Sequence, residues 1–171
     1  MDSNYGRAWI YVDDVLVAIG NANSSTNPYQ FTILELHGLE NKQHTVRLEA
    51  ESNAPVQVDA FAYYTGTDLD ETVFSVALEP SGLIRLGDGE SKRVLAMAMN
   101  AERVVVFRDD FRFTLENDTI AGLSGDGKTQ KTVTGKMAGR TRLHVTLPEL
   151  NDKSATAEIV VTSTEPATTP R

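Results

Sequence analysis

The chain has 171 residues, a net charge of −8 and an isoelectric point near 4.8. Such an acidic chain repels phosphate, and its lysines and arginines are spread thinly without a basic run, so nucleic acid and anionic membranes are poor partners. It contains no cysteine, which excludes disulfides, thiol nucleophiles and cysteine-ligated zinc, and no apolar run is long enough to insert into a membrane.

The first 65 residues alternate between apolar and polar side chains with the period of two that is typical of β-strands. In Arg7–Val12, Trp9 and Tyr11 alternate with aliphatic residues, which predicts a strand with one buried face. Asp13-Asp14 then predicts a hairpin turn. Further strands are predicted at Val15–Gly20, Tyr29–Leu36, His44–Glu51 and Val56–Tyr64.

Within His44–Glu51, the alternation predicts that Val46, Leu48 and Ala50 face inward. Residues 66–71 are polar and acidic and show no periodicity, so we interpret them as a linker between domains 1–65 and 72–163. Residues 164–171 are rich in Thr and Pro and are predicted to form a flexible tail.

The second half of the chain shows short strand-like segments at regular spacing, separated by Gly, Asp and Asn turn signals. This pattern is typical of a Greek-key β-sandwich. The predicted fold class is therefore all-β, with a partial antiparallel jelly roll followed by an Ig-like sandwich. The predicted strands are Val73–Leu78, Leu83–Leu86, Arg93–Met99, Arg103–Phe107, Phe111–Glu116, Thr132–Thr134, Thr141–Leu147 and Ala155–Thr162.

Three segments of the first half follow one another in a characteristic order. They are the strand Ala8–Asp13, the segment from Gly38 to Leu48 that contains His44-Thr45-Val46, and the strand Val58–Phe61. In order and spacing they resemble the end of galactose-binding-like sandwiches, the carbohydrate-binding jelly rolls of bacterial glycan-degrading enzymes. Asp14 stands where that family usually has Gly in the hairpin turn, so a looser turn is expected.

The same resemblance implies that strands are missing, because the family's corresponding strand comes after some sixty or more residues, whereas here it begins near residue 8. Half a sandwich would leave one face of its sheet uncovered, with nothing to offset the entropy of ordering. We expect the missing strands to come from the remainder of a parent protein or another chain, or the sheet to pack on the second domain.

The second half resembles bacterial Ig-like domains of adhesins and multi-domain surface enzymes. The matching segments are Gly89-Glu90-Ser91, Phe113–Asn117 with Ile120-Ala121, and Ala138-Gly139 leading into Thr141–Val145. The core Trp of that family is absent, and Phe113 is a candidate to replace it.

Four aromatic residues are the candidate carbohydrate-binding residues, since sugar rings stack on exposed aromatic faces. The alternative is that Trp9 and Tyr11 pack under missing strands or against the second domain, because aromatic side chains dominate cores and interfaces. The four candidates are Trp9, Tyr11, Tyr29 and Tyr63.

No catalytic or metal site is predicted. Asp13, Asp14 and Asp59 offer the clustered oxygen ligands that Ca²⁺ prefers, as does Asp109-Asp110, but adjacent turn carboxylates are usually only solvated. The three histidines are not accompanied by a nucleophile elbow or a Ser-His-Asp order.

Together these features predict a non-catalytic, carbohydrate-binding or ancillary fragment of a larger bacterial polysaccharide-active enzyme, located outside the cell or on its surface. Its expected partners are a polysaccharide and the remainder of the parent protein. The alternative is a structural or adhesive Ig-like spacer of a cell-surface protein. A catalytic role would require a pocket with perturbed carboxylates, which the sequence does not indicate.

Overall fold

The structure is a computed structural model that describes residues 7–21, 34–50, 62 and 71–163. The regular elements within these ranges are all β-strands, which confirms the predicted all-β fold class, and none of the described segments forms a helix able to cross a bilayer. The described strands are β1 Arg7–Val12, β2 Val15–Asn21, β3 Leu36–His37, β4 Val46–Ala50, β5 Ser75–Glu79, β6 Leu83–Gly87, β7 Ser91–Met99, β8 Val105–Val106, β9 Arg112–Leu115, β10 Ala121–Ser124, β11 Gln130–Gly135, β12 Gly139–Leu147 and β13 Leu150–Thr162.

The chain forms two compact units. The first comprises Met1–Ser75 and Met97–Asp109, and the second comprises Val76–Ala96 and Asp110–Arg171. Residues 97–109, which lie within the predicted Ig-like domain 72–163, thus group with the N-terminal residues. Apart from residue 71, the predicted linker 66–71 lies outside the described residues, as does the predicted tail 164–171.

The first unit contains a sheet in the order β2-β1-β4, with both neighbours antiparallel to β1. Asp13 and Asp14 connect β1 to β2 and have φ angles of 49° and 63°. Positive φ at both central residues is the geometry of a type I′ turn, whose twist matches that of the flanking strands. The expectation of a looser turn is therefore wrong: Val12 pairs with Val15 across a tight two-residue turn.

A core cluster of the first unit is centred on β1 and β2. Ile10, Val12, Val17 and Ala18 are buried there, and Leu48 of β4 packs against them. Val46 and Ala50 lie on the same face of β4 as Leu48, opposite Val12 and Ala8, but Val46 is 46% exposed and Ala50 is also exposed. The predicted alternation of β4 is therefore confirmed, although of the three residues only Leu48 packs against the cluster.

A second group of strands in the first unit, β3, β8 and the end of β7, contains one parallel pair and one antiparallel pair. β3 is parallel to β8, and β8 is antiparallel to the end of β7 through Ala98 and Met99. The turn before β8 depends on Asn100, which is 1% exposed and whose Oδ1 accepts hydrogen bonds from the backbone N–H groups of Glu102 and Val104. Of the predicted strand Tyr29–Leu36 only the end is described, and Val56–Tyr64 lies outside the described residues except for residue 62.

The second unit is a sandwich of two sheets. One has the order β10-β11-β7 and the other the order β6-β13-β12-β9. The predicted strands of this region are confirmed except that β10, which has the weak strand sequence Ala-Gly-Leu-Ser, was not predicted. β6 runs parallel to β13, whereas β12 is antiparallel to both of its neighbours.

The core of the second unit is fully closed to solvent. Gly135 shows how closely the sheets approach, because a Cβ atom there would lie 2.5 Å from the backbone oxygen of Gly87 and 3.0 Å from Cγ1 of Val161. Side chains with 0% exposure come from both sheets: Ile84, Val94, Leu95, Ala121, Val133, Leu143, Val145, Leu147 and Ile159.

Candidate functional site

Two of the four candidate carbohydrate-binding residues are buried inside the first unit. Trp9 is 8% exposed and Tyr11 is 5% exposed. β1 lies between β2 and β4, and all of its residues from Ala8 to Val12 are buried, so the expectation of a single buried face on this strand is wrong. Tyr29 and Tyr63 lie outside the described residues. The sugar-binding role of these four residues stays a prediction.

Arg47 covers the ring of Tyr11. The two residues are paired across β1 and β4, and the guanidinium carbon lies 3.8 Å from the ring centroid. Its Nη1 also donates to the Glu49 carboxylate at 3.0 Å. A cation over an aromatic face is attracted by the ring quadrupole, so Arg47 closes the face on which a sugar would stack.

A polar clamp lies at the turn between β1 and β2. Oδ1 of Asp13 accepts the backbone N–H of Thr45 at 2.9 Å, and its Oδ2 lies 2.7 Å from Nδ1 of His44. The other ring nitrogen of His44, Nε2, lies 2.7 Å from the backbone oxygen of Glu40. An ionised carboxylate and a carbonyl only accept hydrogen bonds, so both contacts are satisfied together when the imidazole is protonated and donates from both nitrogens.

The pKa values of the clamp residues follow from these contacts. The carbonyl of Glu40 and then the carboxylate of Asp13 raise the pKa of His44 above its ordinary value. The backbone N–H of Thr45 and then His44 lower the pKa of Asp13. Each group therefore favours the charged form of the other, and the clamp fixes the β1–β2 turn to the segment that enters β4.

The carboxylates considered for calcium do not form a cation site in the described part of the chain. Both oxygens of Asp13 are engaged in the clamp, and the side chain of Asp14 is 93% exposed. Asp59 lies outside the described residues, while Asp109 and Asp110 have interactions of their own. Among the described residues there is no group of three or more metal-ligating side chains.

The second unit has an open groove between the edge strands β9 and β10, with a volume of about 760 Å³. Phe113 and Leu115 of β9 and Leu123 of β10 line it, together with Glu116 and Lys136. Phe113, the candidate substitute for a core Trp, is only half-buried here. The groove is open to solvent.

His144 is bound differently from His44. Its Nε2 lies 2.9 Å from Oε1 of Glu116, and its Nδ1 lies 3.1 Å from the hydroxyl of Thr156. A hydroxyl donates or accepts, so His144 satisfies both contacts in either protonation state. The bond from His144 and the nearby Arg142 lower the pKa of Glu116.

The sequence did not single out Arg47 or the clamp between Asp13 and His44. In the sequence, His44 is part of the segment Gly38–Leu48, and Asp13 is one of two adjacent turn carboxylates. Thirty-one positions separate the two residues, and only the pairing of β4 with β1 brings them together.

No family model and no curated protein matches this chain. Among solved structures, domains 5–6 of the S-layer protein SbsC align over 56% of this chain and 46% of their own, with 17% identity and a TM-score of 0.46. Domains 4 and 5 of SbsC align over 70% of this chain and 64% of theirs, with 17% identity and a TM-score of 0.44.

The C-terminal domain of ZirS aligns over 81% of this chain and 99% of its own, with 15% identity and a TM-score of 0.41. These scores are too low to assign a shared fold or function. The chain also spans less than half the length of the first SbsC structure.

Proposed function

We propose that this chain is a non-catalytic structural module of a multi-domain bacterial surface protein, in which its β-units act as a spacer. The observation that carries the proposal is the burial of Trp9 and Tyr11, which places the aromatic side chains suited to sugar stacking inside the fold. The second unit supports it, because its apolar side chains form a closed core between two sheets.

The location at the cell surface is included in the proposal. It is supported by the resemblance of residues 72–163 to bacterial Ig-like domains. The second candidate function, a carbohydrate-binding module attached to a polysaccharide-active enzyme, depends on the first unit's resemblance to galactose-binding-like sandwiches. If the chain is such a carbohydrate-binding module, the residues that contact the sugar are Tyr29 and Tyr63 together with Trp9 and Tyr11.

The single tryptophan provides the test, because its fluorescence reports on the first unit alone. We expect blue-shifted Trp9 emission, weak quenching by acrylamide, and no change on adding a panel of neutral polysaccharides such as dextran, xylan and galactan. Calorimetry with the same panel should show no binding heat. Saturable binding of a neutral polysaccharide that shifts the Trp9 emission would contradict the spacer proposal and favour the carbohydrate-binding candidate.

Surface location is tested separately in the bacterium that produces the protein. An antibody against this chain should label intact cells, and external protease should remove the signal. Labelling only after lysis would overturn the proposed location.

A further inference from the structure

The outer face of the sheet β6-β13-β12-β9 carries most of its charge as arginine. Inward-facing residues of these strands, such as Ile84, Leu143 and Ile159, are fully buried, so the residues between them point outward. The outward residues include four arginines and one histidine, which we call the arginine track: Arg85, Arg112, Arg140, Arg142 and His144.

The strand register arranges this track as a path from one corner of the face to the other. Arg85 and Arg140 both pair with Val160, so they lie two strands apart in one row, about 10 Å from each other. Arg142 and His144 follow along β12 at steps of about 7 Å. Arg112 pairs with Thr146 at the far corner, so the track crosses the face diagonally over about 25 Å.

The face is cationic although the whole chain has a net charge of −8. In the rows that contain the track, Glu116 and Glu158 are the two carboxylates. Glu158 accepts a hydrogen bond from Arg140 at 2.7 Å, and Oε1 of Glu116 lies 3.6 Å from Arg142. Arg85 and Arg112 are exposed, and within the described ranges of the chain neither has an ion-pair partner.

Arg140 and Arg142 also remain accessible, since their side chains are 72% and 61% exposed. The charges elsewhere on the chain act weakly on a ligand at this face, because the Debye length is only about 10 Å at 0.1 M ionic strength. The local excess of arginine therefore decides which ligand this face attracts.

We propose that the arginine track binds a linear anionic polysaccharide bearing carboxylate or sulfate groups. Guanidinium groups bind both kinds of oxyanion through paired hydrogen bonds, and four arginines placed at intervals across one sheet face match a polymer that carries repeated charges. The hydroxyls of Thr114, Thr146 and Thr156 lie between the cations in the same rows and provide partners for sugar hydroxyls.

The composition of the face favours a polysaccharide over other polyanions. Protein interfaces combine arginine with buried aromatic anchors, whereas no outward-facing Phe, Tyr or Trp lies beside the track in its rows, whose neighbours are mainly Thr, Ser and Glu together with Val160 and the exposed Leu83. Single-stranded nucleic acid binds on stacking platforms that are mostly Phe, Tyr or Trp, and none of the outward residues in these rows is one of these three. This inference does not depend on the proposed spacer function, because a spacer can carry such a face.

The test measures binding of the full chain by calorimetry at about 0.1 M ionic strength. Dextran sulfate and polygalacturonate are the probes, with dextran and methyl-esterified polygalacturonate as neutral controls of matched backbone. We expect binding to at least one charged polymer and to neither neutral one. The double variant Arg85→Gln, Arg112→Gln should weaken the affinity by about fivefold for each arginine removed.

A control variant with the same change in net charge distinguishes binding at the arginine track from non-specific electrostatic attraction to the chain. Lys92→Gln combined with Arg103→Gln removes the same charge at exposed positions that do not belong to this sheet face, and it should leave the affinity unchanged. Glu158→Gln removes the carboxylate beside Arg140 and should tighten binding by about fivefold. Because Glu158→Gln is expected to raise the affinity, it tests the proposal even if the arginine variants fold poorly.

Three outcomes would overturn the proposal. The first is binding to neither charged polymer. The second is an equal loss of affinity in the track variant and the control variant. The third is tighter binding of single-stranded DNA or of phosphatidylserine vesicles than of both charged polysaccharides under the same conditions.

Discussion

In the second unit, Leu143, Val145 and Ile159 have no exposed surface, whereas in the first unit Ile10, Tyr11 and Trp9 keep 5%, 5% and 8% of theirs. The first unit adds polar contacts around its turns, in particular the clamp between Asp13 and His44. The second unit instead brings its backbones together at Gly135. The two β-units of this chain thus differ in how completely apolar packing closes their cores, and the β1–β2 turn of the first unit also depends on charged hydrogen bonds.

The largest effect is expected from removing a fully buried side chain of the second unit. Leu143→Ala should lower the free energy of unfolding by about 3–4 kcal/mol, because it leaves a cavity in a closed core. Leu48→Ala in the first unit should cost only about 1–2 kcal/mol, because Leu48 is partly exposed. Urea denaturation with hydrogen exchange in each unit measures both, and equal losses would contradict the difference between the cores.

A smaller loss is expected from Gly135→Ala. The added Cβ would overlap the backbone oxygen of Gly87, so the sheets must separate locally at a cost of about 2 kcal/mol. Gly82→Ala is the matched control, since no atom lies within 4 Å of its Cβ position and only its φ of 76° disfavours alanine, by about 1 kcal/mol. Thermal denaturation compares them, and a larger loss at Gly82 would show that the close approach is not the limiting contact.

The clamp predicts a pH dependence that is confined to the first unit. The folded pKa of His44 is raised, so its stabilisation is fully present below its unfolded pKa of about 6.5 and is lost as the pH rises through the higher folded value. The folded pKa of Asp13 is lowered, so its stabilisation is present above its unfolded pKa of about 3.8 and is lost in acid. The clamp therefore contributes most between about pH 4 and 6.5.

Trp9 fluorescence measures the Tm of the wild type and of His44→Gln from about pH 4 to pH 9, and the quantity of interest is the difference between the two Tm values. An NMR titration of His44 measures its protonation directly. The difference should be largest near pH 5 to 6 and should shrink toward pH 9. His144→Gln is the control, because His144 lies in the second unit and takes no part in the clamp. A Tm difference for His44→Gln that does not vary with pH would refute the protonated clamp.

The smallest effect is a gain. Asp14→Gly places glycine at the second central position of the type I′ turn, where φ is 63°, and should stabilise the chain by about 0.5 kcal/mol. Asp13→Gly should destabilise it despite a similar φ of 49°, because the bonds to His44 and Thr45 are lost. Denaturation midpoints that move in the same direction for both substitutions would show that the turn conformation, and not the clamp, dominates.

Much of the fold could be predicted from the sequence because strand periodicity is local. Arg7–Val12 and Thr141–Leu147 show it clearly, and both are strands in the structure. β10 was missed because Ala-Gly-Leu-Ser has little strand propensity, and it forms a strand only by pairing with β11.

The functional features were harder to predict because they depend on register. The face of Tyr11 is closed by Arg47, which is a neighbour only through the pairing of β1 with β4. The sequence correctly shows no basic run, yet Arg85 and Arg140 share a row because both pair with Val160. Positively charged residues that are far apart in the sequence can therefore lie close together on one face of a sheet.

The parallel pair β6–β13 has a mechanical consequence. Leu83 to Gly87 lie beside Glu158 to Thr162 with both strands running in the same direction. Suppose that opposite forces act on the N-terminal end of β6 and on the C-terminal end of β13. They slide the two parallel strands along each other. All of the hydrogen bonds of the pair then bear the load together, whereas in an antiparallel hairpin pulled at its open end they would break in succession.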